Sequence, residues 1–238
     1  MSRDDGRKPD QLRPLTIEVD YLENPHGSAL ITQGKTKVLC TAMVQEEVPR
    51  WMRNQGRGWM TAEYSLLPAS TGDRVEREAS RGKQQGRTVE IQRLIGRALR
   101  AVVDFKALGE RTMWLDCDVL QADGGTRTAA ITGGCVALVD ACTWLAERTS
   151  QPSPFGQLVA AVSVGVVEGE VRLDLAYAED KDAGVDSNIV MVEPTDFVEV
   201  QGTGEHSTFT RGQLETLLDL AESGIAELFQ AQRRVLGK

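Results

Sequence analysis

The sequence predicts an α+β fold, mixed β-sheets with packed helices rather than a doubly wound parallel sheet, and three observations carry that prediction. Short β-rich runs come in pairs across glycine-containing turns. Longer stretches place apolar residues at helical spacing. The two kinds of segment alternate only loosely along 238 residues, with no convincing repeat, low-complexity tract or dividing linker, so one domain over residues 1–238 is expected.

Taken in order, Ser28 to Ile31 and Lys37 to Val44 read as a hairpin turning at Thr32-Gln33-Gly34-Lys35, with Gly34 free to take a positive φ. Residues 45–86 are polar, with Gly56, Gly58, Gly72, Gly82 and Gly86 breaking any helical period, and are expected to be loop-like. From Thr88 onward, Ile91, Leu94, Ile95, Ala98, Leu99 and Val102 form one helix face, leaving Arg93, Arg97 and Arg100 on another. Met113 to Leu120 alternates as a strand, Leu115, Cys117 and Val119 facing one way, Trp114, Asp116 and Asp118 the other. It runs into Asp123-Gly124-Gly125-Thr126-Arg127. A helical stripe then follows, from Ala130 to about Arg148, ended by Gln151-Pro152-Ser153-Pro154. Leu158 to Val167 and Val171 to Ala176 flank Glu168-Gly169-Glu170 as a second hairpin, and Ile189 to Val192 and Phe197 to Gln201 are further strands. Glu179 to Asp186 reads as an acidic loop, Gly202-Thr203-Gly204 as a turn, and Arg211 to Leu236 as a long amphipathic helix.

Composition narrows the function. With 41% hydrophobic residues the chain can bury a sizeable core, and the four cysteines (Cys40, Cys117, Cys135, Cys142) lack C-x-x-C spacing, which favours reduced buried thiols over a zinc site. The charged start, without the apolar run a signal peptide needs, implies a cytoplasmic protein. Leu158 to Val167, the most apolar stretch, is too short for a bilayer that takes about 20 helical residues, so no membrane segment is expected. A net charge of −8 argues against a non-specific nucleic-acid binder. That average hides Arg74 to Arg100, where eight basic residues stand against three acids, a local charge of +5. Either a ligand-facing patch or a solvated helix with ordinary ion pairs accounts for it.

The residues with chemical potential fall in three places. Gly124-Gly125-Thr126-Arg127 follows a strand and opens a helix, so backbone N–H groups, a hydroxyl and a guanidinium converge as at an anion site; a tight turn with a surface arginine is the alternative. Arg87, at the opening of the other helix, becomes a second cationic contact if the two helix starts face each other. Asp180 and Asp186 can hold Mg²⁺ through oxygens, or stand as solvated acids. Two arginines with paired carboxylates make the minimum set for phosphoryl transfer, where positioning and charge neutralisation dominate. No G-x-x-x-x-G-K-[ST] or G-x-G-x-x-G pattern supports a nucleotide cofactor.

These segments together resemble bacterial ribonuclease PH over essentially the whole chain. The resemblance rests on Arg7 to Pro14, on Gly58-Trp59-Met60-Thr61-Ala62-Glu63-Tyr64, on Gly86 to Arg97, on Asp116 to Arg127, and on Glu179-Asp180 with Val185-Asp186-Ser187-Asn188. It implies a fold like the second domain of ribosomal protein S5 and a ring-shaped homohexamer, a trimer of dimers. It implies a phosphate-dependent nucleotidyltransferase that trims the 3′ ends of transfer-RNA precursors, with ribosomal or other structured RNA as further substrates. Inorganic phosphate attacks the last phosphodiester and releases a nucleoside diphosphate; the reverse reaction adds nucleotides. Arg87, Gly125, Thr126 and Arg127 match the family's phosphate-binding positions, and Asp180 and Asp186 its acidic pair, for Mg²⁺ or for protonating the leaving 3′ oxygen. Arg74, Arg77, Arg93 and Arg97 are the expected RNA contacts. The chain departs from the family at Leu67-Pro68-Ala69, where an arginine usually follows the proline, which bears on the grip on transfer RNA and not on the chemistry. A non-catalytic ring subunit that threads RNA and a hydrolytic Mg²⁺ nuclease are the rival readings.

Overall fold

The computed structural model describes residues 3–237, and within them every side chain but that of Arg81. Two sheets enclose a central helix. The first contains β1 (Leu15–Val19), β2 (Gly27–Gln33), β3 (Thr36–Gln45), β4 (Trp59–Leu66) and β5 (Thr112–Gln121), ordered β1-β2-β3-β5-β4. All neighbours are antiparallel except β4, which runs parallel to β5. Between β4 and β5 come α1 (Glu78–Arg81), α2 (Gly86–Arg100) and α3 (Phe105–Leu108). After β5 follows α4 (Thr126–Thr149). The second sheet is antiparallel, β7-β6-β8-β9, from β6 (Val159–Val167), β7 (Glu170–Leu173), β8 (Val185–Val192) and β9 (Asp196–Thr203). Helix α5 (Tyr177–Lys181) precedes β8, and α6 (Arg211–Leu236) closes the described chain.

The expected hairpins form, with Gly34 at φ 60° in the first turn and Gly169 at φ 81° in the second. Helix α4 is buried on most of its circumference rather than along one stripe, because it lies between β2 and β3 on one side and β6 on the other. It is long and apolar enough to cross a membrane by length and composition, a better candidate than Leu158–Val167, but 78% of its most apolar window is buried inside the protein. Its apolarity is core packing. Strand β6 is buried along its whole length, since α4 and α6 both pack against it, and this explains its unbroken apolar sequence. A single cluster of buried residues runs from Ile31 and Leu115 through Ile131 and Leu138 to Val162 and Leu228, joining the two sheets.

Four expectations need correction. Residues 45–86 are not all loop: Trp59–Leu66 is a strand whose Met60, Ala62 and Tyr64 are buried, a period-2 pattern hidden by flanking glycines. Strand β1, absent from the sequence reading, pairs with β2 at the sheet edge. Glu179 to Asp186 is not a free acidic loop, because Glu179, Asp180 and Lys181 belong to α5 and Asp186 to β8. Gly202 and Thr203 end β9 instead of forming a turn, the ladder to Asp186 and Ser187 holding them extended.

Candidate active site

The starts of α2 and α4 open onto one cleft of about 670 Å³, lined by Arg74, Arg87, Gly124, Gly125, Thr126 and Arg127, with Asp180, Asp186 and Asn188 opposite. Each helix carries its arginine as the second residue, Arg87 after Gly86 and Arg127 after Thr126. Neither helix start is capped by a side chain, so the first-turn N–H groups remain available to a ligand. Glu90, one turn into α2, accepts from Arg127 Nη1 at 3.3 Å and ties the two starts together.

The glycine loop is shaped from behind. Arg13, buried, donates two hydrogen bonds to Asp174, Nη2 to Oδ1 at 2.6 Å and Nε to Oδ2 at 3.0 Å, and also bonds the Asp123 carbonyl. Thr36 Oγ1 donates to the Gly124 carbonyl at 2.7 Å and accepts from Asp123 N–H at 2.9 Å. With those carbonyls occupied at the rear, the loop turns into α4 through left-handed Gly124 (φ 75°) and Gly125 (φ 63°). A Cβ on Gly124 would lie 2.6 Å from the Leu175 oxygen, and one on Gly125 2.9 Å from Arg13 Nη2. Glycine is required at both.

The acids are held as firmly. Glu179, beside Asp180, points inward to a cluster of three arginines: Arg3 Nε and Nη2 reach it at 2.8 and 2.6 Å, Arg172 Nη1 at 3.2 Å, and Arg7 Nη2 lies 3.6 Å away. Burial would raise the Glu179 carboxyl, but the Arg3 hydrogen bond and the charges of Arg3 and Arg7 outweigh it and hold the group below its usual value. Asp180 is therefore carried on an anchored turn. Burial pushes Asp180 above the usual carboxylate range, partly offset by Arg87 and Arg127. Asp186 goes further, to about 6, through burial and then repulsion from Asp180, with Arg127 opposing the rise. Its Oδ1 is buried and has no hydrogen-bond partner among the described residues. Both arginines act on Asp180, so the cations and the carboxylates share one electrostatic field.

Of the residues expected from sequence, Arg87, Gly125, Thr126, Arg127, Asp180, Asp186 and Arg74 line this cleft. Arg77 lines an adjoining cleft of about 640 Å³ that shares Tyr64 and Arg87 with the first and is floored by Glu63, Asp116 and Asp118. Burial raises Asp116, helped by Glu63 and Asp118, and burial raises Asp118 against the pull of Arg77. Arg93 and Arg97 do not line either cleft: both are on the exposed face of α2, and Arg97 is paired with Glu199 of β9. Arg100 turns away from the other two and is half-buried, its guanidinium 5.1 Å from the Trp59 ring centre and its Nε bonded to the Met60 carbonyl at 3.2 Å. The contribution of the Arg81 side chain to the basic segment lies outside the described residues. Sequence reasoning gave no role to Tyr64, Ser163, Tyr177, Lys181 or Glu205, which also line the cleft. Tyr64 alone had a signal, as the last buried position of an alternating run.

A model of the 3′ exoribonuclease family, domain 1, matches residues 11–143, and one of domain 2 of the same family matches residues 157–224. The chain belongs to the 3′ exoribonuclease family. The first model spans β1 to most of α4 and the second spans the second sheet, so this family's two segments meet at the cleft, one supplying the arginines and the other the acids. Family members named Ribonuclease PH are similar over nearly their full length. That of Corynebacterium kroppenstedtii is 56% identical over 99% of this chain and 93% of its own, and that of Moorella thermoacetica 58% identical over 100% and 95%. Among solved structures, rice Rrp46 superposes with a TM-score of 0.81 at 22% identity, covering 99% of this chain and 100% of that one. An Archaeoglobus fulgidus exosome chain, from a structure described as having RNA bound to the active site, also gives 0.81 at 22% identity over 96% and 91%. These two likenesses establish the fold, the ribonuclease PH form of the S5 domain 2-like architecture.

Proposed function

We propose that this protein is a phosphate-dependent 3′-to-5′ exoribonuclease, a transfer-RNA nucleotidyltransferase that trims precursor 3′ ends by phosphorolysis. The observation that carries the reading is the pair of uncapped helix starts, each bearing an arginine as its second residue, facing two carboxylates of raised pKa across one cleft. Relatives named Ribonuclease PH at 56 and 58% identity support the same reading.

The nucleophile is an anion attacking an anion, so its site must neutralise repulsion at close range. Arg87 and Arg127, with the N–H groups of Gly125 and Thr126, hold orthophosphate beside the last phosphodiester. An oxygen of that phosphate attacks the phosphorus, and the bond to the preceding 3′ oxygen breaks. The departing oxygen needs a proton, and Asp186, with a pKa near 6, is suited to carry one near neutrality. The terminal nucleotide leaves as a diphosphate. Run backwards, the same exchange lengthens the RNA.

In the alternative role, with Asp186 a ligand instead of the proton carrier, Asp180 and Asp186 fit a Mg²⁺ ion. The unpartnered buried Oδ1 of Asp186 is a free oxygen ligand, and Mg²⁺ is commonly held by one or two carboxylates with waters and substrate phosphate. Bound there, the ion would supply charge neutralisation at the phosphoryl group. Arg74 and Arg77, on the segment between β4 and α1, guide the RNA strand past the cleft, with Arg93 and Arg97 as outlying contacts. A cytoplasmic homohexamer, a trimer of dimers, belongs to the same reading, and exposed Tyr21, Leu22, Trp51, Phe197 and Val200 are apolar surface that such an assembly can cover.

The test is an RNA with a 3′ extension, incubated with and without phosphate. Diphosphates released only with phosphate support phosphorolysis; monophosphates without it indicate hydrolysis; no release indicates a subunit that only threads RNA.

A further inference from the structure

Tyr64 is almost fully buried at 3% exposure, yet its hydroxyl reaches the cleft wall, where Oη lies 2.8 Å from Thr126 Oγ1. Two elements that are remote in sequence meet there, the seam between β4 and β5 and the first residue of α4. Among the described residues each hydroxyl has the other as its hydrogen-bond partner. Each brings one proton, so only one of the two can donate within the pair, and the other proton is left for something else. A phenol is the stronger acid and the better donor; an aliphatic alcohol is the better acceptor. Tyr64 therefore donates to Thr126, and the Thr126 proton turns toward the cleft between Gly125 and Arg127.

We infer that Tyr64 is a positioning residue for phosphate: by donating to Thr126 Oγ1 it fixes that hydroxyl as a donor to the bound anion. The inference rests on the proposed phosphate site at Gly125, Thr126 and Arg127. Burial raises the Tyr64 pKa, with the charges of Arg87 and Arg127 opposing, so the phenol keeps its proton across the neutral range. A phenolate at this place would repel phosphate, and a phenol that accepted from Thr126 would take away the donor. The β4–β5 pairing places Tyr64 beside Cys117, and burial of the ring leaves the hydroxyl little freedom to turn elsewhere.

The test is steady-state phosphorolysis by Tyr64→Phe, Thr126→Ala, Thr126→Ser and the Tyr64→Phe/Thr126→Ala double variant, varying phosphate and RNA separately. Losing one neutral hydrogen bond corresponds to about a 3- to 10-fold change. Tyr64→Phe should raise the KM for phosphate by that factor, leaving the KM for RNA and kcat within about twofold. Thr126→Ala should raise it at least as much, Thr126→Ser should stay near the parent, and the double variant should be no worse than Thr126→Ala, because both remove one interaction. Thermal shift on adding phosphate should shrink in Tyr64→Phe in parallel, which separates lost anion binding from lost folding. An unchanged phosphate KM in Tyr64→Phe beside a raised one in Thr126→Ala overturns the positioning role and leaves the phosphate site standing. Equal rises for phosphate and RNA with a lower melting temperature mean a packing role and overturn it too. Unchanged phosphate kinetics in Thr126→Ala and Arg127→Ala remove the phosphate site itself.

Discussion

Replacing Asp186 with asparagine should stabilise the protein while stopping its chemistry. Its carboxyl is lifted from 3.8 to about 6 by burial and by the neighbouring charge of Asp180, so near neutral pH the fold confines a carboxylate that unfolding would return to water. At about 1.4 kcal/mol per pH unit the difference corresponds to about 3 kcal/mol. Contact with solvent at this partly exposed carboxyl reduces the expected gain to about 1–2 kcal/mol. For a chain of this size that is about 2–8 °C in Tm. The sign follows from linkage. A folded-state pKa above the unfolded one means that the fold holds the proton more tightly, so the destabilising effect of Asp186 is nearly absent below 3.8, grows as pH rises toward about 6, and is complete above it. The gap between Asp186→Asn and the parent should be full at about pH 7.5 and roughly halved at about pH 5. Thermal unfolding at both pH values, with chelator to exclude Mg²⁺, reads it. An asparagine variant no more stable than the parent near neutrality, or a gap that widens toward acid, refutes the reasoning.

Arg87→Ala and Arg127→Ala should each raise the KM for phosphate and lower turnover at least tenfold, as expected for a charge-assisted contact worth about 1.5–3 kcal/mol, in proteins that unfold normally. Gly124→Ala should cost more than the about 1–2 kcal/mol of left-handed strain, because its Cβ would strike the Leu175 oxygen, and activity should fall with the loop; calorimetry and turnover check both. Arg13→Ala leaves the buried Asp174 carboxylate with only Arg7, 3.8 Å away, as a cationic partner among the described residues and should destabilise by about 3 kcal/mol, read from the denaturant midpoint. Arg74→Ala with Arg77→Ala should flatten the salt dependence of RNA binding, by about 0.7 in log–log slope per lost contact to single-stranded RNA, without altering the KM for phosphate.

Much of the site was legible because its pieces are local. A strand, two glycines and an arginine opening a helix are contiguous in Gly124 to Arg127, and the apolar period from Ile91 to Leu99 places Arg87 at the other helix start. What holds those pieces in place was not legible. Arg13 and Asp174 are 161 residues apart, and only the folded chain shows that a buried arginine shapes the glycine loop from behind. The same holds for Tyr64 and Thr126, separated by 62 residues. Strand β4 was missed for a different reason: its Met60-Ala62-Tyr64 alternation is present in the sequence, but glycines on its N-terminal side and polar residues between made it read as loop. The α2 arginines show the opposite error, since helical periodicity places Arg93, Arg97 and Arg100 on a common face but cannot reveal that Glu199 engages one and Trp59 another.

Tracing the phosphorus atoms tests the central claim most directly. With radiolabelled orthophosphate and an unlabelled RNA carrying a 3′ extension, label should appear in the β-phosphate of the released nucleoside diphosphates and nowhere in the shortened RNA. Unlabelled monophosphates, formed at the same rate whether or not phosphate is present, would contradict it.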